Sequence, residues 1–502
     1  MPPAAPAAAT AEARELDPFP SRAAEPRRLA INFLFLSGGE FTAKLLTFAV
    51  FSYLARALGP ANYGFLEFTL AVMVFFTLPV DMGLSVYGTR EIARHPSHAP
   101  RLLQEITGLR MALALCSMLA LAVFIVFLHK SAELKTLLAF YGISLLGAPF
   151  LQQWFFQGHD QMHWVGAASV VRQFLFAGLV FLTWHRGVPI VRLGLIEIVS
   201  VAGTAAFCSW VVRGRMGFAW PRPDMRLIHL LGHIRKAAPI GLSELAWAFM
   251  WYFCTVLLGF FFSDKSLGWF GASHRALMAL NTFVWLYFFN LLPSISRCVD
   301  RPAKSLLELM DGSVRFAAWS GLLAAALLTA LAPDLLSLIY GHDFRSAAGS
   351  FTILVWMLPI AMLSGHYRYI LVAYNHQRWL LICTAISAAA AIALGFALEP
   401  FYGGPGAAYA LLTANCLNFA LVYLAVRKYV VPVPLGRQLK APLTALTVSA
   451  ATGFVLWKWN IWLALAGGVA VYATGLALSD GPKLGAFFMT IFRKPIVAQP
   501  AR

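Results

Sequence analysis

The chain has 502 residues, of which 60% are hydrophobic and only 12% charged, and its mean hydropathy is +0.70. That much apolar surface cannot be hidden in a water-soluble core, so the composition defines a polytopic membrane protein. A net charge of +17 would suggest a nucleic-acid partner in a soluble protein, but the basic residues sit mainly between apolar runs, which points to an anionic membrane face and no nucleic acid.

Residues 1–30, rich in Ala and Pro, are expected to form a disordered cytoplasmic tail. They lack the apolar core of a signal peptide, so the first span acts as an uncleaved membrane signal. Fourteen apolar stretches follow, each long enough to cross a hydrocarbon core of about 30 Å, at roughly 31–55, 64–88, 106–128, 135–157, 163–184, 189–212, 238–262, 267–292, 315–340, 350–374, 379–398, 405–426, 441–457 and 460–478. The expected fold is all-α: an N-terminal six-helix bundle (31–212), a basic cytoplasmic linker (213–237), a C-terminal six-helix bundle (238–428), two additional transmembrane helices (429–480) and a cytoplasmic tail (481–502).

Lysine and arginine placement tests this plan independently. With the N-terminus in the cytoplasm, the cytoplasmic connections hold clusters such as Arg213, Arg215, Arg222, Arg226, Arg235 and Lys236. The opposite side receives only Arg56, Lys130, Lys135, Arg186, Lys265, Arg345 and Lys458. The bias fits an even number of spans with both termini in the cytoplasm. No outward connection exceeds about 12 residues, which leaves no room for a soluble catalytic domain. Function therefore has to reside in the helices, and no enzymatic activity is expected. The six cysteines are scattered singly without a CxxC pair, and no GxxxxGK[ST] phosphate loop occurs, so no cofactor or metal is expected.

An internal repeat is visible. Glu40 in the first span precedes Tyr63-Gly64, where the second begins, and Glu244 in the seventh precedes Leu267-Gly268 at the same spacing. Two six-helix halves in parallel orientation follow, with a substrate site expected between them near the midplane.

Charges inside spans are costly in lipid and normally face a cavity or a partner. Glu40 and Lys44, in the stretch GGEFTAK, lie about 14 and 20 Å into the first helix, one turn apart. Two readings stand open: a self-neutralising i,i+4 pair, or a Lys44 that faces a wet cavity and attracts an anion. Arg275 reaches a similar depth from the other half, so Lys44 and Arg275 are candidates for a phosphate clamp. Arg172 and Arg368 are further candidate cavity cations, although Arg368 is also placed to snorkel toward an interface. Glu40, Glu244, Glu197 and Asp81 supply the opposing charge or handle a coupling ion, with a local pair to Arg90 or Arg94 the simpler role for Asp81. His274 and His366 are expected to be packing residues, and Asn281, Asn290, Asn415 and Asn418 to hydrogen-bond between helices.

The runs YLARALGPANYGFLEF (53–68), DMGLSVYGTREIARH (81–95) and WMLPIAMLSGHYRYILVAYNHQ (356–377) resemble oligosaccharide flippases of the Wzx type, in the multidrug, oligosaccharidyl-lipid and polysaccharide exporter superfamily. The resemblance spans Ile31 to about Lys428. It implies two bundles around a cavity that opens alternately to each face of a bacterial inner membrane. The implied substrate is an undecaprenyl-pyrophosphate-linked oligosaccharide repeat unit for O-antigen, capsule or exopolysaccharide assembly, moved at the expense of an ion gradient or the membrane potential. Membrane lipids are implied as partners, with a polysaccharide polymerase and a chain-length regulator as further candidates. A peptidoglycan-precursor flippase and a cation-coupled drug exporter of the same superfamily are the alternatives. A membrane glycosyltransferase or polymerase would need a large outward loop that this chain lacks.

Overall fold

In lipid every backbone N–H and C=O must be satisfied within the chain, and helices do this segment by segment. The computed structural model describes residues 25–185, 187–224, 227–299 and 301–492. Residues 1–24 and 493–502 of the expected tails, together with Arg186 and Arg226, lie outside the described residues. The first half contains α1 (Glu25–Asp81), α2 (Leu84–Arg94), α3 (Ala99–Phe127), α4 (Ala132–Ser144), α5 (Gln153–Gly158), α6 (Met162–Thr183) and α7 (Arg192–Gly214). The second contains α8 (Leu227–Phe261), α9 (Asp264–Ser296), α10 (Ala303–Tyr340), α11 (Ala348–Leu354), α12 (Met357–Ala373), α13 (Gln377–Tyr402) and α14 (Gly404–Tyr429). Three helices end the chain: α15 (Gly436–Trp457), α16 (Ile461–Ser479) and α17 (Gly481–Phe492). Residues 25–30 and 481–492, expected in the tails, are thus helical.

The 57 residues of α1 would make a rod of about 85 Å, far longer than one hydrocarbon thickness. The rod is broken at Gly59, whose φ of 71° and ψ of 171° suit only glycine. Pro60 then restarts the helix with its fixed φ. So α1 supplies two spans, and the 13 apolar segments long enough to cross a membrane among the described residues make fourteen crossings. Ser131 and Ser263 start α4 and α9 by accepting from the N–H of Leu134 and Ser266, and Asn460 starts α16 by accepting from Trp462 at 2.7 Å.

The repeat is visible in the fold at a constant offset of 204 residues, from Glu40 to Glu244 and from Gly64 to Gly268. The same offset carries the break at Gly59 onto Ser263, the N-cap of α9. Gly64 and Gly268 also touch each other. A Cβ on Gly64 would stand 3.0 Å from the Gly268 nitrogen, and a Cβ on Gly268 would stand 3.1 Å from the Gly64 nitrogen. Such a reciprocal contact is the mark of a two-fold relation, here an approximate one between the halves.

The last helices are fastened to α10. Buried Asp480 accepts from Arg315 at 2.6 Å and from the Trp319 indole at 3.1 Å, while Tyr472 donates to the Trp319 carbonyl at 3.0 Å. Cys208, Cys254, Cys298 and Cys383 are buried and, like the exposed Cys116 and Cys416, unpaired.

Candidate functional site: a cavity between the halves

The halves close on each other at the face opposite the basic connections. Glycines at 64 and 268 let the second arm of α1 and the start of α9 approach backbone to backbone. Around them Arg56 donates to the Ile339 carbonyl at 3.0 Å and also to that of Leu338. The Trp269 indole donates to the Asp343 carbonyl at 2.8 Å, and Lys130 lies 3.7 Å from Asp264. Tyr63, fully buried, packs its ring against Tyr340 and Phe344.

One turn deeper lies the pair Glu67 and Arg275, with Nε 2.6 Å from Oε1 and the guanidinium 3.6 Å above the Phe51 ring. Each charge compensates the other in a place where neither is tolerated alone. Glu67 was not singled out from the sequence. Its signal was an acid in GFLEF, inside an apolar run and three residues past Gly64.

Beneath this bridge is a cavity of about 770 Å³, and Lys44, Arg275, Glu40, Glu67 and His274 all line it. The structure therefore brings the two candidate clamp cations to one space. They differ in state: Arg275 is held by Glu67, whereas Lys44 is exposed and has no ion-pair partner among the described residues. Glu40 does not pair with Lys44. Its carboxylate accepts from the Ser169 hydroxyl at 2.7 Å, and Ser169 in turn accepts from Gln153 at 3.0 Å. The i,i+4 reading thus gives way to a polar chain across α1, α6 and α5, because Ser169 satisfies the carboxylate without a counter-charge. Lys44 also borders a second space, an apolar groove of about 280 Å³ walled by Phe41, Leu45 and Phe48 of α1, Leu280 and Phe283 of α9, and Leu328 of α10.

The other candidate charges are distributed differently. Arg172 pairs with Glu197 at 2.5 Å across α6 and α7 and does not line the cavity. Asp81 binds the Ser85 hydroxyl and lies 3.5 Å from Arg110, in place of the expected Arg90 or Arg94. The left-handed turn at Met82 and Gly83, with φ of 45° and 79°, swings α2 and its arginines away. Glu244 is half-buried with no ion pair among the described residues. Arg368 is exposed and lines a separate chamber in the second half. His366 is a buried packing residue held by Tyr287 at 3.1 Å and the Met362 carbonyl at 2.8 Å, and His274 is buried against Tyr252 and Phe270. Asn418 reaches across to Met250, but Asn415 donates to the Leu411 carbonyl of its own helix at 2.9 Å. The Asn290 side chain is outside those described.

Two repeated six-helix halves, sealed at one face around a polar cavity, are the architecture of a multi-helix membrane transporter. Solved structures share it. The lipid II flippase MurJ in an inward closed conformation matches with a TM-score of 0.71 at 15% identity, over 90% of this chain and 100% of that one. An inward-facing multidrug resistance MATE family transporter matches with a TM-score of 0.62 at 15% identity, over 80% and 99%. The sequence profile of the family described as Polysaccharide biosynthesis protein matches residues 29–299, and the chain belongs to that family. Two relatives carry the name "Putative O-antigen transporter". The protein from Escherichia coli (strain K12) is 22% identical over 411 residues, covering 80% of this chain and 96% of the relative. That from Shigella dysenteriae is 23% identical over 389 residues, covering 76% and 96%. The expected resemblance to Wzx-type flippases of the exporter superfamily holds, and the chain is a multi-pass membrane protein.

Proposed function

We propose that this protein is a flippase that carries polyprenyl-pyrophosphate-linked oligosaccharide repeat units, on undecaprenol, from the cytoplasmic to the periplasmic leaflet for surface polysaccharide assembly. The observation that carries the reading is the position of Lys44. A cation with no ion-pair partner among the described residues stands where a polar cavity of about 770 Å³ meets an apolar groove of about 280 Å³. A polyprenyl-linked sugar has its doubly anionic pyrophosphate at the same kind of junction, between a polar headgroup and an apolar chain. The tail stays in the groove and in lipid, the pyrophosphate meets Lys44, and the sugars extend into the cavity. The two relatives named as O-antigen transporters support the same substrate class.

In this reading the basic face is cytoplasmic, as are both termini, and the face closed by Gly64 and Gly268 is periplasmic. Arriving pyrophosphate competes with Glu67 for Arg275. Exchanging one charge-assisted contact for another costs little, and it removes a bridge lying directly below the periplasmic seal. Glu40 and Glu244 lack ion pairs among the described residues and are the candidates for ion coupling, whereas Glu197 and Asp81 balance Arg172 and Arg110. The test is flipping of labelled lipid-linked oligosaccharide in proteoliposomes, with lipid II and a cationic drug as parallel substrates. Movement of the lipid-linked oligosaccharide supports the reading, and movement of lipid II or the drug in its place overturns it.

A further inference from the structure

The second half holds a chamber of about 360 Å³ toward the basic face, between α8, α9, α12, α13 and α14. It shares Trp247, Met278, Asn281 and Trp285 with the central cavity, so the two spaces adjoin. We propose that this chamber is a carbohydrate subsite that holds sugar rings of the oligosaccharide while its pyrophosphate lies at Lys44. The inference rests on the flippase reading and assigns a place to a part of the substrate that Lys44 and Arg275 do not touch.

Three aromatic rings and a set of amides carry the argument. Trp247 and Trp285 are 37% and 39% exposed although they line the interior, so indole surface borders the open space. Trp247 is braced by Trp251 and Tyr252 at 6.0 and 5.9 Å between ring centres, and Tyr369 is stacked on Phe288 at 5.4 Å. Braced rings are rigid platforms for the C–H faces of a pyranose. Asn281, Asn415, Asn418 and Gln377 also line the chamber, and an amide offers both a donor and an acceptor, the pairing that vicinal hydroxyls need. The Asn415 carbonyl oxygen has no partner among the described residues, its amide nitrogen being spent on Leu411.

Other parts of an amphiphile fit less well. A polyprenyl chain would leave these amides without partners. A drug cation would find no carboxylate, since no Asp or Glu is among the residues lining the chamber. A pyrophosphate would find only Arg368 there, while Lys44 and Arg275 stand in the adjoining space. The volume lies within the range of about 300–1,000 Å³ common for small-molecule sites.

The test compares two substrates in proteoliposomes: polyprenyl pyrophosphate carrying the complete repeat unit, and the same lipid carrying only its first sugar. Tyr369→Leu removes a ring that lines this chamber and not the central cavity, and Asn418→Ser shortens an amide; both are measured so that misfolding of one leaves the other. The expected result is a KM for the complete substrate raised on the order of tenfold, with the one-sugar substrate within about twofold of wild type. Free oligosaccharide, released from its lipid, should compete with the complete substrate in wild type and compete less in the variants. Equal losses on both substrates, or no loss on either, would overturn the subsite and leave the flippase reading standing. Wild-type protein that moves neither substrate would overturn both.

Discussion

Replacing Gly268 by alanine tests whether the glycine crossing is the seal. The added methyl would stand 2.8 Å from the Pro60 carbonyl carbon and closer still to its oxygen, inside the 3.0 Å that real Cβ atoms respect. Both groups belong to backbone, so no side chain can swing away and the helices must part. Overpacking of this kind costs about 1–3 kcal/mol. The clash exists only in the state closed at this face, so the whole cost falls on one side of the equilibrium and lowers its population ratio by about 5- to 150-fold. Spin labels at Ala61 and Lys265, both exposed at the ends of the two helices, would report a longer distance component, and transport would slow. Gly64→Ala should act alike, because its methyl meets the Asp264 carbonyl. Gly178→Ala is the control: nothing lies within 4 Å of its Cβ, and alanine favours the helix. Unchanged label distances together with wild-type flipping in Gly268→Ala would refute the idea that this crossing closes the transporter.

Lys44→Ala should reduce flipping by about 10- to 150-fold, the range of one charged hydrogen bond, while Lys44→Arg retains much of the activity. The double change Glu40→Gln with Lys44→Gln should not restore transport in proteoliposomes, since the two residues form no pair to be jointly removed. Glu67→Gln leaves Arg275 without its counter-charge and should cost about 3–5 kcal/mol, read as a lower Tm in detergent, and Glu67→Gln with Arg275→Gln should recover most of it. Glu40→Gln and Glu244→Gln should each insert normally yet alter the dependence of transport on pH or sodium; a response to both gradients identical to wild type would return them to packing. Tags in the 213–224 connection and at the C-terminus should be cytoplasmic and one at Ser263 periplasmic, and a periplasmic C-terminus would break the fourteen-span plan.

The crossings were legible in the sequence because the bilayer imposes a length of about 20 apolar residues on every helix, and the repeat because Glu40 to Gly64 and Glu244 to Gly268 have the same spacing. Partner choice was not. Glu40 and Lys44 are one turn apart, which makes a local pair the natural reading. Ser169, 129 residues away, takes the carboxylate instead, because a hydroxyl on a facing helix satisfies it and leaves Lys44 in the cavity. Arg275 looked unattended because Glu67 is 208 residues away. Only the close crossing of α1 and α9 brings them together. Local spacing reports neighbours on one helix, and the contacts that set the partners of these charges run between helices, inside the first half at Glu40 and across the halves at Arg275.

That division has a mechanical consequence. Gly64 and Gly268 occupy equivalent positions in the repeat, so the seal lies on the approximate two-fold axis between the halves, and parting it separates one half from the other. Three residues past Gly64 on one helix, and seven past Gly268 on the other, the chain places opposite charges, Glu67 and Arg275, rather than a repeated residue. The symmetric contact closes the face, and in the proposed reading the asymmetric pair beneath it is the part that an anion disturbs. A site meant only to hold the halves together would need no cation exposed to the cavity. In the proposed reading Lys44, which has no ion-pair partner among the described residues and lies on the wall that Arg275 shares, gives an entering anion a first contact before Glu67 is displaced.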